Sequence, residues 1–309
     1  MADSAEPRRV RLLCNDDAAA DDRLVAAVRL MERDGHAIEM IKLTQAGEAM
    51  RLAEQSGGEG YDTVVACGGD GTLNEVVNGI VKAGDEPDAT SAIGLIPYGT
   101  GNDFACGAGI SATDPAAALG LIFNEPARPI DVGRLNDRCF VNLATGGFVA
   151  EVTTDTPDLL KDALGGPAYT LAGAVMLIGG ASRPARVTAD GLSFDDNLLL
   201  VAIGNGRFAG GGFCLTPDAL IDDGLLDVIV IERMSGPMLV QLLQDLRGEC
   251  HLDREDVHHV QVRRLVVEAP EPLQINLDGE PMTDTRFTAH VLPAAVRMHL
   301  PGGCPMLSQ

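Results

Sequence analysis

The chain has 309 residues, 46% hydrophobic and 22% charged, which is enough apolar material for roughly two packed domains and rules out wholesale disorder. Its 23 Lys and Arg against 45 Asp and Glu leave a net charge of −22. That field repels phosphate backbones and so speaks against a nucleic-acid ligand.

A spanning helix needs about 20 consecutive apolar residues. The longest uncharged stretch, 168–181, is shorter and interrupted by glycine, so no transmembrane segment is expected and a buried helix is. The start, MADSAEPRR, lacks the apolar core of a signal peptide. The seven cysteines are odd in number and scattered, with no CxxC, as expected of buried free thiols in a reducing cytoplasm.

The first half alternates strand and helix. Val10–Cys14 is a short apolar run. Leu24, Val25, Val28 and Met31 follow at helical spacing, closed by Gly35. Ala37–Leu43 reads as a strand with Ile38 and Met40 inward, Gln45–Gln55 as a helix, Thr63–Cys67 as a strand, Leu73–Lys82 as a helix and Ile93–Ile96 as a fourth strand. This rhythm predicts a parallel sheet with crossover helices, whose ligands bind at the carboxyl ends of the strands. After about Asp131 the pattern changes. Phe140–Leu143, Ala185–Thr188, Leu198–Ile203, Leu226–Ile231, Val260–Val267, Leu273–Leu277 and Phe287–Val291 are short strand candidates. Helical stretches fall in 158–178 and Gly236–Leu246, and the second domain is therefore mostly β. The expected division is an α/β domain at 1–132, a mostly β domain at 133–291, and a Pro-rich tail at 292–309 that packs back on the first domain.

Glycine-rich segments carry the chemistry. Gly68-Gly69-Asp70-Gly71-Thr72-Leu73-Asn74-Glu75 lies between a strand and a helix. Such a loop brings backbone N–H groups and a helix N-terminus up to an anion, and Thr72 can cap the helix or bond a phosphate oxygen. It is not a Walker A loop, because none of the three lysines, Lys42, Lys82 and Lys161, follows a glycine. Pro97-Tyr98-Gly99-Thr100-Gly101-Asn102-Asp103-Phe104-Ala105 follows the next strand and would line the same cleft. Gly204-Asn205-Gly206-Arg207-Phe208-Ala209 fits the dinucleotide pattern, but Gly210-Gly211-Gly212 follows where a helix is required. Asp222-Asp223-Gly224-Leu225-Leu226-Asp227 reads as an Asp-Gly turn or a hard-cation site. In Leu277-Asp278-Gly279-Glu280-Pro281, either carboxylate could act as base or ligand. Cys250, His251, His258 and His259 lack zinc spacing and read as a solvated loop.

Residues 68–79, GGDGTLNEVVNG, with 97–105, PYGTGNDFA, resemble the catalytic domain of the diacylglycerol kinase and sphingosine kinase superfamily. Segments 141–148, 153–157, 204–212, 222–226, 276–281 and 292–297 extend the similarity to bacterial YegS-like lipid kinases over nearly the whole chain. The resemblance implies an α/β nucleotide domain and a β-sandwich-like domain with the active site between them. It implies that Gly68, Gly69, Asp70, Gly71, Thr72, Leu73 and Asn74 hold ATP phosphates, with Thr100 and Thr44 also in the nucleotide site. It further implies a divalent cation, Mg²⁺ or another such as Ca²⁺, held by Leu220 and Leu225 carbonyls and the Asp223 carboxylate. Glu280, or failing it Asp278, would take the proton from a lipid hydroxyl. Diacylglycerol- and phosphatidylglycerol-like lipids are the expected acceptors, met by a cytoplasmic protein working at the inner membrane face; Arg183 with Arg186 and Arg263 with Arg264 read first as solvated strand ends, with membrane contact the alternative. Where many superfamily members carry Asn-Pro and Ser-Gly after the first strand, this chain has Asn15-Asp16-Asp17, so no nucleotide role is assigned to that loop. The other readings are an NAD kinase and a non-catalytic nucleotide- or lipid-binding regulator.

An acidic surface of this kind suits solubility in high salt, as in a salt-adapted host, the alternative being a GC-rich genome that uses Arg and Ala freely. The melting temperature is expected to rise with KCl as screening relieves like-charge repulsion. A flat curve would show that the charge carries no such adaptation.

Overall fold

The computed structural model describes residues 6–84, 91–147, 182–234, 236–247 and 251–308. The expected helix within 158–178 lies outside them. The chain divides into two compact units, Met1–Ile130 with Ala294–Pro305, and Asp131–Pro293 with Met306–Gln309.

Unit 1 is built on strands β1 (Arg9–Cys14), β2 (Ala37–Lys42), β3 (Thr63–Gly68) and β4 (Ala92–Pro97). Their order is β2-β1-β3-β4, all parallel, and the end of a strand spanning Glu280–His299 adds alongside β4 in the same direction. All six residues of β3 and five of β1 are buried, as befits central strands covered on both faces. Edge strand β2 is only half-buried. The helices are α1 (Asp16–Ala20), α2 (Asp22–Arg33), α3 (Glu48–Ser56), α4 (Asp70–Ala83), α5 (Asp103–Ala108) and α6 (Pro115–Asn124). Helix α2 packs with α6, and α3 with α4. The α3–α4 contact is nearly backbone to backbone, because a Cβ on Gly79 would collide with the Met50 carbonyl oxygen. Three helices were absent from the sequence reading. Helices α1 and α5 are too short to show a period, and α6 is apolar almost all round, although Asp114 caps it (Ala117 N–H, 3.0 Å) with Pro115 in the first turn.

The strand order reverses between β1 and β3, which opens a crevice at their carboxyl ends. There the loop after β4 lies on the loop after β3. The Tyr98 amide donates to the Gly68 carbonyl (2.8 Å), and a Cβ on Gly99 would run into the Gly69 backbone. At the opposite end of the sheet His299 is buried. Its Nδ1 donates to the Glu125 carbonyl (2.8 Å) and its Nε2 accepts from the Thr63 hydroxyl (3.2 Å).

Unit 2 is antiparallel. It contains the end of β5 (Ala127–Leu135), then β6 (Arg138–Phe140), β7 (Leu143–Gly147), β8 (Arg183–Ala189), β9 (Leu192–Gly204), β10 (Phe208–Ala209), β11 (Phe213–Cys214), β12 (Leu226–Glu232), helix α7 (Gly236–Arg247), β13 (Val257–Val262), β14 (Arg264–Leu277) and β15 (Glu280–His299). Strands β7 and β8 each pair with both β9 and β14. The four strands therefore close on themselves and leave few edges to pair with other chains. Inside lies a core that includes Phe140, Val187, Leu198, Ile203, Val228, Ile275 and Phe287. A second cluster, with Leu199, Phe213, Ile229, Leu242 and Leu246, joins α7 to the other face of β9 and β12. The expected strand over Val260–Val267 is the junction of two strands, and the one over Leu273–Leu277 is the end of β14, bulged between Glu268 and Leu273.

Two tests follow from unit 1. Gly99→Ala is expected to lower the melting temperature by about 2–8 °C through overpacking, whereas Gly71→Ala, whose Cβ meets nothing within 4 Å, should leave it unchanged. Burial, ahead of the nearby Arg8 and Arg297 charges, lowers the pKa of His299 from its usual 6.5. The unfolded chain thus takes up this proton first, so the stabilisation is complete above about pH 6.5 and is lost as the pH falls below it. His299→Gln should lose less melting temperature than the unsubstituted protein between about pH 8 and pH 5, and equal losses would remove His299 from the acid sensitivity.

Candidate functional site

In unit 1 the loops that follow β1, β3 and β4 are tied together by side chains. The Asn15 amide nitrogen donates to the Cys67 carbonyl (2.9 Å), its Nδ2 donates to the Tyr98 carbonyl (3.0 Å), and its Oδ1 caps α1 through the Ala18 amide (2.9 Å). The loop without a phosphate-approaching glycine thus has a scaffolding part. Asp70 accepts from the Asp103 amide (Oδ2, 3.0 Å) and the Phe104 amide (Oδ1, 3.0 Å), the first two residues of α5. Its carboxylate is therefore spent on neighbouring peptide dipoles. Asn102, held at φ 52°, exchanges hydrogen bonds with Gly99 (2.8 and 2.7 Å) and shapes the turn between them.

Helix α4 starts at Asp70, three residues earlier than its apolar period suggests. Its N-cap is Gly69, with no side chain to satisfy the first amides. Open N–H groups and the positive end of a 14-residue helix dipole make an anion site. Gly69, Asp70, Gly71 and Thr72 are partly exposed and Thr100 is exposed, while Gly68 and Leu73 are buried. The buried Asn74 carries on Oδ1 a hydrogen bond from Asn78 (3.0 Å). Thr44, exposed at the end of β2, bonds Glu48 through both its amide (2.8 Å) and its hydroxyl (3.0 Å) and neither glycine loop. Glu75 accepts from the Gly47 and Ala49 amides (2.8 and 3.1 Å) and so holds the start of α3.

In unit 2, Asp278 and Gly279 form the two-residue turn between β14 and β15, both at positive φ (46° and 100°), the conformation expected of an Asp-Gly hairpin. The Asp278 carboxylate accepts from the Val141, Asn142 and Leu143 amides (2.7, 3.1 and 2.9 Å). Three fixed donors leave it poorly placed to collect a proton from a substrate. Glu280, two residues on, is exposed.

The acidic turn is equally specific. Asp131, 3% exposed, accepts from the Gly224 amide (2.6 Å), and Asp222 accepts from the Ser308 amide and hydroxyl (2.8 and 2.9 Å). Asp223 takes the Leu225 amide on Oδ1 (2.9 Å). Burial raises its pKa despite that amide, and the Asp227, Asp131 and Asp222 charges push the same way. This crowding of negative charge suits a hard cation. Among the described residues no three His, Cys, Asp or Glu side chains converge to hold a metal. A cation here would thus rely on Asp223 with peptide carbonyls, those of Leu220 and Leu225 being the candidates.

Other sequence readings meet the structure as follows. His258 and His259 lie on β13, where they bond Glu232 (2.7 Å) and Asp227 (2.9 Å), and His251 is wholly buried against the Leu215 carbonyl (2.8 Å); this is strand and core, and the expectation of a solvated loop fails. Gly204 ends β9 and the short strand β10, not a helix, follows directly, and Asn205 instead clamps the Asp131 and Val141 carbonyls (3.1 and 2.8 Å). Arg183 and Arg186 are ion-paired with Glu271 and Asp195. Among the six described cysteines, all free thiols, Cys106 alone is exposed. No described helix is long and apolar enough to cross a membrane.

Comparison with known proteins places this geometry. Residues 9–135 match the diacylglycerol kinase catalytic domain, and residues 144–300 the YegS C-terminal NAD kinase beta sandwich-like domain. A "Probable lipid kinase YegS-like" of Pseudomonas aeruginosa is 38% identical over 301 residues, 97% of each chain. One of Stenotrophomonas maltophilia is 38% identical over 306 residues, 97% of this chain and 98% of that one. The crystal structure of a diacylglycerol kinase from Bacillus anthracis str. Sterne superposes with a TM-score of 0.76 at 25% identity, over 96% of this chain and 99% of that one. The chain belongs to the YegS-like family, with a diacylglycerol kinase catalytic domain followed by the YegS β-sandwich-like domain.

Proposed function

We propose that the protein transfers the γ-phosphate of ATP to a hydroxyl of a membrane lipid of the diacylglycerol or phosphatidylglycerol kind. The observation that carries this reading is the uncapped N-terminus of α4, set at the strand-order reversal and backed by the loop after β4. Phosphoryl transfer asks a protein mainly for positioning and charge neutralisation. The amides after Gly69 would hold phosphate oxygens without a P-loop lysine, with Thr72 and Thr100 beside them. Asp70 serves by fixing the two loops as one surface. Asp223, with the Leu220 and Leu225 carbonyls, would hold a divalent cation; Mg²⁺ fits the oxygen donor set, and its charge would offset that of the phosphates. Glu280 is the base in this reading, because its carboxylate is exposed and Asp278 is committed to three peptide amides. A kinase acting on a soluble acceptor such as NAD and a non-catalytic regulator find less support in the similar proteins compared above, which are named probable lipid kinases and match over 97% of this chain.

The test is transfer of labelled γ-phosphate from ATP to a panel of lipids in mixed micelles with Mg²⁺. Glu280→Gln is expected to lower turnover about 10²–10⁴-fold while retaining ATP binding, and Gly71→Ala to lose ATP binding while keeping its fold. Near-normal turnover in Glu280→Gln would remove that residue from the mechanism. Label entering NAD and no lipid would overturn the lipid reading.

A further inference from the structure

A chain of net charge −22 carries in unit 2 a line of two arginines and a histidine that form no ion pair among the described residues. On the antiparallel ladder of β14 and β15, Arg264 lies directly opposite His290, and the adjacent pair Leu265 and Ala289 faces the core. Arg264 and His290 therefore share the face turned away from that core. Strand β5 runs along the other side of β15, fixed by the Asn136 amide donating to the Thr288 carbonyl and the Thr288 amide donating to Asn136 Oδ1 (both 2.9 Å). Two residues earlier, Arg134 comes beside His290, close enough for its charge to act on the imidazole. Beyond it, on β6, Cys139 sits opposite Arg134 and bonds its guanidinium. The four residues form one rung across four strands.

Three features set this rung apart from the paired arginines of the same unit. The groups acting on His290 are Arg134 and Arg264, both positive, and no carboxylate is among them. Asp190, at the turn beside Arg264, is exposed and forms no ion pair with it. Arg134 Nε is buried with no hydrogen-bond acceptor among the described residues, an arrangement that costs free energy unless an acceptor arrives; Arg183 Nε is likewise unsatisfied, but Arg183 holds Glu271 through Nη1, whereas Arg134 has no ion pair among the described residues. By contrast Arg183, Arg186 and Arg286 each hold a carboxylate. A guanidinium fork next to a second arginine and an imidazole is the donor set that matches a tetrahedral oxyanion. We propose that Arg134, His290 and Arg264 form a binding site for a phosphate-type oxyanion, the group carried both by anionic phospholipid headgroups and by free phosphate. Burial first, and then the two arginines, lower the pKa of His290; a bound dianion would reverse the electrostatic part and raise it.

The experiment uses the full chain and follows the His290 ring resonances by NMR during titration with inorganic phosphate, beside co-sedimentation with phosphatidylcholine vesicles made with and without phosphatidic acid. Phosphate is expected to shift the His290 signals and raise its titration midpoint, and Arg264→Gln to abolish both changes. Phosphatidic acid vesicles should retain the protein about fivefold better than Arg264→Gln, the worth of one arginine near an anionic surface. Arg264 is exposed, so this variant keeps the fold; Arg134→Gln serves as the second variant, with circular dichroism as the check. A His290 response without vesicle retention assigns the site to soluble phosphate. Retention that depends on Arg264 assigns it to a lipid headgroup. No His290 response together with retention indifferent to both variants, or a response that persists in Arg264→Gln, overturns the proposal. None of these readings uses ATP or turnover, so they stand or fall apart from the kinase assignment.

Discussion

The Asp70 carboxylate is the constraint on which the loops at the carboxyl ends of β3 and β4 rest. It sits in the first turn of α4 and accepts the two leading amides of α5, 33 and 34 residues further along the chain. A charged acceptor on peptide donors is roughly twice as strong as a neutral pair. It also removes from the loop the repulsion a free carboxylate would exert on phosphate. The surrounding contacts depend on that tie. Gly99 can approach the Gly69 backbone only while the loops are held together, and Asn102 keeps its left-handed conformation by bonding across the same turn.

Asp278 plays the corresponding part in unit 2. Three amides converge on it from the segment 141–143, and its own amide returns a hydrogen bond to the Leu143 carbonyl (3.0 Å). The hairpin tip is thereby locked, and the neighbouring Glu280 remains exposed. Two carboxylates that look equivalent in Leu277-Asp278-Gly279-Glu280 thus divide between structure and availability for chemistry, and the division is set by what each side chain touches.

Much of unit 1 could be read from the sequence because central parallel strands are continuous apolar runs; Thr63–Cys67 and Ile93–Ile96 each match an observed strand to within about a residue at either end. Unit 2 was legible in kind but not in length. Strands β14 and β15 run 14 and 20 residues through stretches such as Glu268–Glu271 and Glu280–Thr285 whose polar and proline residues resemble loops, because one face of these strands is exposed. The glycine-rich turn between β3 and α4 was recognisable from its glycines and its place after a strand. The partners of Asp70, Asn15 and Glu75 were not, since each bond joins positions 26 to 83 residues apart, and nothing local marks them. The histidines of β13 misled for the same reason, their carboxylate partners lying on the neighbouring strand.

The fifth strand of unit 1 has a consequence for how the protein is made. Met298 pairs with Ile93, and His299 plugs the end of the sheet between Thr63 and Glu125, yet these residues are translated only after all of 131–293. While the ribosome is still adding the rest of the chain, β4 presents an unpartnered edge, and residues 1–130 wait through the synthesis of all of 131–293. The usual order, in which an N-terminal domain folds before its successor emerges, is therefore closed to this chain. The sheet of unit 1 is completed only once residues 294–299 have followed, and a fragment ending before Ala294 would expose a strand edge prone to aggregation.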